Sequence, residues 1–214
     1  MSAPGTPTRD DHARSFDGVY VAIVRDNADP QGLGRVRLEY PWRESAAEST
    51  WARIAVPMAG HERGTYFLPE TGDEVLVAFE RGDVDYPYVI GALWNGQDTP
   101  PAANRDGNND IRRITSRNGH QLTFDDADDG GKIVVETAAG HRVVLDDQSG
   151  GETITIKDTG GSEIEFDGTT GSLSISSGGT ITIDASMMEL SSAGNLDIDA
   201  GGVLTLNGSL IKLN

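Results

Sequence analysis

Residues 119–167 read GHQLTFDDADDGGKIVVETAAGHRVVLDDQSGGETITIKDTGGSEIEFD. Apolar residues stand two apart in each short burst: Leu122/Phe124, Ile133/Val135, Val143/Leu145, Ile154/Ile156 and Ile164/Phe166. Side chains two apart on a strand share a face, so each burst predicts a short strand with one apolar and one polar face. Gly, Asp, Ser and Asn separate the bursts and supply turns. The same beat runs to the end of the chain through Leu173/Ile175, Ile181/Ile183, Met188/Leu190, Leu196/Ile198, Leu204/Leu206 and Ile211/Leu213. A repeat decides the architecture before any local feature does.

The spacing sharpens that reading. Gly119-His120, Gly140-His141 and Gly161-Ser162 recur every 21 residues. From Leu122 to Leu173 the units start 9 to 11 residues apart, and beyond Leu173 they start 7 or 8 apart. Shortening units describe a rod that narrows toward its C-terminal end. No aromatic residue follows Phe166 and no proline follows Pro101. The missing proline suits continuous ladder pairing.

Each unit brings only two or so large apolar groups, too few for one chain to wrap around a core of its own. Two arrangements solve this. A single-chain solenoid would stack coil on coil, and an intertwined trimer would let three chains each supply one face of a triangular rod. A solenoid coil needs roughly twenty or more residues, which units of 7 or 8 fit poorly. The trimer is the better answer. Eleven units at about 4.8 Å per strand predict a rod roughly 50 Å long.

Composition bounds the rest. The 214 residues allow one or two domains, and 36% hydrophobic content with 27 glycines fits an elongated β protein. A net charge of −17 argues against binding to a phosphate backbone, which needs clustered Lys and Arg. Without Cys, neither disulfides nor thiol chemistry enter. No run approaches the length of a membrane-spanning helix. The polar N-terminus lacks a signal-peptide core, so the expectation is assembly in the cytoplasm without secretory export.

In chain order, residues 1–15 read as a flexible N-terminal arm. Residues 16–97 carry the signals of a small closed β barrel: strands at Val19–Val24, Arg35–Tyr40, Trp51–Val56, Glu74–Phe79 and Pro87–Gly91, with long connections. The OB-fold is the commonest such barrel. Residues 98–117 read as linker and neck, and 118–214 as the C-terminal β-helix rod. The expected class is therefore all-β, an N-terminal OB-fold followed by an intertwined trimeric β-helix needle.

Several stretches resemble a known family. Asp29-Pro30-x-Gly32-x-Gly34-Arg35-Val36, then Tyr40-Pro41-Trp42 and Trp51-Ala52-Arg53, are similar to the OB domain of contractile-tail spike proteins. So are Phe67-Leu68-Pro69-Glu70-x-Gly72-Asp73-Glu74-Val75-Leu76-Val77, Gly82-Asp83 and Pro87-Tyr88-Val89-Ile90-Gly91. The rod entry, Asn118-Gly119-His120-x-Leu122-x-Phe124-Asp125-Asp126, fits as well. The family includes the phage baseplate assembly protein V group and the VgrG spikes of type VI secretion. The resemblance covers about residues 18–214 and implies a homotrimeric β-helix needle beneath an OB collar. Larger members carry an N-terminal hub domain that this sequence does not show, which places hub docking on another protein. The resemblance also implies a PAAR-type cone protein at the C-terminal tip.

Other constellations carry less. Gly32 and Gly34 lack the third glycine and the helix of a phosphate loop, so they read as turn glycines. Tyr40, Trp42, Trp51 and Phe67 could stack bases on an OB surface, but the charge balance favours core and collar packing. Asp125, Asp129, Gly130 and Glu136 fall at EF-hand positions 1, 5, 6 and 12, yet Ala127 and Lys132 break the pattern and the flanks are strands. The site reads as a solvated hairpin. His120 and His141 occupy equivalent turns and suit turn hydrogen bonding better than a threefold metal site. His12 lies in the arm and His61 in a loop, so no catalytic Ser/His/Asp set suggests itself.

The sequence thus predicts a non-enzymatic central spike of a contractile injection machine, with no cofactor, no metal and no nucleic-acid partner. Its trimer core is Leu122, Phe124, Ile133, Val135, Val143, Leu145, Ile154, Ile156, Ile164, Phe166, Leu173, Ile175, Ile181, Ile183, Leu196, Ile198 and Leu204. Its tip-protein contacts are Leu206, Leu210, Ile211, Leu213 and Asn214. The OB end would meet a baseplate hub, and the needle would touch the target membrane transiently as part of a phage tail or injection particle. A tailspike-like carbohydrate-binding or depolymerising β-helix is the alternative, though no aromatic sugar platform accompanies the acidic turns.

Overall fold

The computed structural model describes residues 15–43, 48–128 and 130–212. His12, Asp129, Leu213 and Asn214 lie outside these. The chain divides into two units, residues 1–109 and 110–214.

The first unit grows from alternation. In β1 (Val19–Asp26) the small and branched residues Ala22 and Val24 are fully buried; in β6 (Glu74–Phe79) Val75, Val77 and Phe79 point the same way. β2 (Arg37–Glu39) pairs antiparallel with β1, β1 with β6, and β6 with β7 (Pro87–Ala92). β3 (Arg53–Ile54) adds in parallel to β7, giving the order β2-β1-β6-β7-β3. The two edges then meet: Val36 and Ala52 exchange backbone hydrogen bonds of 3.0 and 2.7 Å. The sheet therefore curls back on itself in the manner of an OB barrel. A small hairpin, β4 (Ala59–Gly60) and β5 (Arg63–Gly64), projects from it.

Leu38, Val36, Ala52, Val89 and Tyr40 complete the core. Phe16, Tyr20, Tyr40, Trp42 and Phe79 form a ring cluster with centroids 4.9 to 6.4 Å apart. The Trp42 indole donates to the Val21 carbonyl at 3.0 Å. Tyr40 is 1% exposed and its hydroxyl has no hydrogen-bond partner among the described residues; burial pushes it up to about 12. Trp51 has the Arg35 and Arg37 guanidiniums about 6 Å from its ring, 6.0 and 5.9 Å respectively. Of the four aromatics that could have stacked bases, only Phe67 is well exposed, at 65%.

The second unit is a seven-stranded antiparallel meander: β8 (Ile111–Thr115), β9 (Gln121–Asp125), β10 (Lys132–Glu136), β11 (Arg142–Asp146), β12 (Thr153–Lys157), β13 (Glu163–Asp167) and β14 (Ser172–Ser176). Every strand is five residues long and the turns hold four to six. Two strands and their two turns make the 21-residue period. The recurring turn glycines Gly119, Gly140 and Gly161 sit at φ +87°, +94° and +89°, the left-handed conformation that closes each turn without a Cβ clash. In the first two turns the Ser116 or Thr137 hydroxyl accepts the N–H of His120 or His141 at 3.1 Å.

Two features differ from the sequence reading. β8 lies inside the stretch read as linker and neck, because Arg112 replaces one apolar member of its pair and hides the beat. Beyond Ser176 the described residues form no strand within the chain. Units of 7 or 8 residues leave two or three after a five-residue strand, too few for the turns used above.

Candidate functional site

Register builds the surface of interest strand by strand. On one face of the meander, Phe124, Ile133, Leu145, Ile154, Phe166 and Leu173 stand opposite one another in a column. Beside it runs a second column, Ile114, Leu122, Val135, Val143, Ile156, Ile164 and Ile175. Cross-strand pairs of this kind stabilise a sheet, but here they remain half uncovered. Exposure climbs from 37% at Ile133 and 39% at Phe124 to 56% at Leu173 and Ile175. A contiguous apolar face of this extent marks an interaction surface.

The expected core residues from Leu122 to Ile175 thus share one face, and the chain brings them together itself. Ile181, Ile183, Leu196, Ile198 and Leu204 lie beyond the meander, all more than half exposed. Past Ser176 the chain leaves a cleft of about 580 Å³ between the second column and Thr180–Thr182, walled by Val143, Ile156, Ile164 and Ile175. Of the tip residues, Leu206, Leu210 and Ile211 are exposed.

The opposite face is polar with one apolar seam. Its central column runs Arg113, Thr123, Val134, Val144, Thr155, Glu165 and Ser174. Thr123 and Val134 are each only 8% exposed, and Arg113 Nε donates to the Thr123 hydroxyl at 3.0 Å. Sequence reading missed Val134 and Val144, which fall between the members of neighbouring pairs. Flanking charges pair across strands, Arg142 with Glu136 at 3.3 Å and Lys157 with Glu163 at 3.2 Å.

The turns at one edge of the meander are acidic. Asp125, Asp146 and Asp167 each accept backbone N–H groups two residues on, from Ala127, Gln148 and Thr169. Among the described residues no group of three or more His, Asp or Glu could hold a metal ion. Gly130 serves packing instead: its turn lies against the next, and a Cβ there would run into Gln148 Cα. At the other edge, His120 Nδ1 accepts the Ala138 N–H at 3.2 Å, tying one turn to the following one.

The first unit offers its own apolar hollow, about 610 Å³, beside the β4–β5 hairpin. Leu33, Met58, Tyr66 and Phe67 border it at 54 to 77% exposure. Its two-residue strands carry no readable alternation, so the sequence did not reveal it.

The Asp29 motif organises the approach to β2. Its carboxylate accepts the N–H groups of Gln31 and Leu33 at 3.0 Å and receives Arg35 Nε and Nη2 at 2.8 Å each. The Arg35 guanidinium, helped by those backbone donors, holds the carboxyl well below the usual carboxylate range, although burial opposes the shift.

Comparison with known proteins fits this geometry. Residues 20–94 match the type VI secretion system/phage-baseplate injector OB domain. Residues 132–214 match the phage baseplate V C-terminal trimerisation domain. The type VI secretion system spike protein VgrG3 of Vibrio cholerae is 36% identical over 98 residues, covering 41% of this chain and 9% of that protein. VgrG2a of Pseudomonas aeruginosa is 35% identical over 96 residues, 41% of this chain and 11% of that protein. The actin cross-linking toxin VgrG1 of V. cholerae is 32% identical over 96 residues, 40% of this chain and 8% of that protein. The chain thus spans only about a tenth of the length of these relatives. Carrying both the injector OB domain and the baseplate V trimerisation domain, the chain belongs to the contractile-tail central spike family of phage baseplate V and VgrG-like proteins.

Proposed function

We propose that this protein is the structural central spike of a contractile injection machine, a homotrimer that joins a baseplate hub to a PAAR-type tip protein and helps pierce the target envelope. The observation that carries the reading is the pair of half-exposed apolar columns within the segment matched by the trimerisation domain. Three copies turn these columns toward a common axis. Each copy supplies one wall as a self-paired meander, and the short units beyond Ser176 pair with the other chains. Interweaving is then confined to the C-terminal part, where no in-chain partner exists among the described residues. The role is mechanical: a hydrogen-bonded rod transmits axial thrust, and no residue is assigned a catalytic task.

Light scattering on the purified protein tests this. The reading requires about three times 22.7 kDa, with resistance to cold SDS. A 22.7 kDa monomer sinks it. Within the trimer, deleting residues 210–214 should abolish binding of the tip protein and leave the trimer intact.

A further inference from the structure

The inward pairs leave a second apolar set behind. Near the C-terminus the residue just before the first member of three pairs is also apolar: Met187 before Met188, Val203 before Leu204, Leu210 before Ile211. Adjacent residues of a strand face opposite ways, so pairs turned to the axis turn these three outward. Exposure divides the same way, 85% against 51%, 89% against 52%, and 71% against 49%. Met187 shares its outward face with Glu189. After Asp199, however, residues 200–214 contain no Asp or Glu and one cation, Lys212. Lys212 stands two residues after Leu210 and so on the same outward face. In a chain of net charge −17, residues 200–214 thus carry an outward face that is apolar with a cationic edge.

We propose that the tip protein grips the outside of the last two units, through Val203, Leu210 and Lys212 of each chain, as well as abutting their ends. This rests on the spike reading above. Area argues for it. A triangular end whose sides are single five-residue strands, about 17 Å long, offers on the order of a few hundred Å². A specific protein contact buries roughly 1,000 Å² or more over both partners, at least about 500 Å² on each. The outward faces of the three chains supply the difference.

The backbone argues for a protein rather than a lipid surface. Residues 177–212 have no in-chain ladder, and the last strand of any stack keeps one edge of N–H and C=O groups open. Lipid cannot hydrogen-bond them, whereas an added β edge can. The partner is therefore a β-edged cap with an apolar collar and an acidic rim facing Lys212.

The test titrates the full-length trimer with the PAAR-type cap protein of the same particle. The double variant Val203→Asp/Leu210→Asp should weaken capture at least tenfold while light scattering still reports the trimer. Lys212→Glu should weaken it several-fold, which keeps the proposal testable if the double variant does not assemble. Ser174→Asp, on the polar face of the meander and farther up the chain, should bind normally. If the outward variants capture the cap like wild type while deletion of 210–214 abolishes capture, the outer grip is wrong and the spike reading stands. If the wild-type trimer takes no cap, both readings fall. Binding to phosphatidylglycerol vesicles in place of the cap would overturn the proposal in favour of a membrane contact.

Discussion

Asp29 shows how one residue secures a motif. It ties three turns of backbone direction to one guanidinium, and Arg35 in turn lies 6.0 Å from the Trp51 ring. The spacing Asp-Pro-x-Gly-x-Gly-Arg is thus explained by a nearly covered carboxylate, its side chain 3% exposed, collecting donors from residues 31, 33 and 35. Because the folded carboxyl titrates below its unfolded value, its contribution is fully present above about pH 4 and is lost as pH falls through the folded value. Asp29→Asn should lower the melting temperature of the protein at pH 7. The gap to wild type should hold down to about pH 4 and close only in stronger acid. A gap that is constant from pH 7 to pH 2 would mean that the charge of Asp29 is immaterial and only its shape counts.

At the level of elements, the turns decide how the strands stack. Gly130 and Gly150 are both in the left-handed region, at φ +138° and +76°, in successive turns of the same edge. Only Gly130 has a backbone neighbour where a Cβ would go; around Gly150 the space is empty. Gly130→Ala should therefore cost roughly 2–4 kcal/mol, the sum of conformational strain and overpacking. Gly150→Ala should cost about 1 kcal/mol from conformation alone. Equal losses in urea unfolding would show that the two turns do not pack as described. The same turns explain how much of the fold was legible. The strands from β9 to β14 could be read because every one carries its apolar pair, and the two columns follow directly from those pairs. β8 was not legible, since Arg112 interrupts its pair, and neither was the β4–β5 hairpin, whose two-residue strands have no period. Unit length also encodes where in-chain pairing ends, but only once the turns are known to need four residues or more. The hollow bordered by Met58, Tyr66 and Phe67 escaped because solitary exposed aromatics in a loop carry no pattern.

For the whole molecule, charge is the term that opposes assembly. Three copies carry three times −17, or −51. Asp125, Asp126, Asp128, Asp146, Asp147, Glu152 and Asp167 gather at one edge of each meander, against Lys132 and Arg112, the latter paired with Asp126. The other edge holds Arg117, His120, His141, Arg142 and Lys157 alongside Glu136, Asp158 and Glu163. A threefold ring joins unlike edges, so each seam sets the acidic edge of one copy against the mixed edge of the next. That arrangement avoids the worst repulsion without removing it. Screening should therefore stabilise the trimer: the Debye length shrinks from about 30 Å at 0.01 M salt to about 10 Å at 0.1 M. The melting temperature should rise over that range and flatten beyond it. Asp147→Lys should raise it further at low salt, with the gain fading at high salt, because the new cation relieves the acidic edge. A trimer whose melting is indifferent to both salt and Asp147→Lys would place the acidic edges too far from any neighbour to matter, and the seam would have to be drawn elsewhere on the sheet.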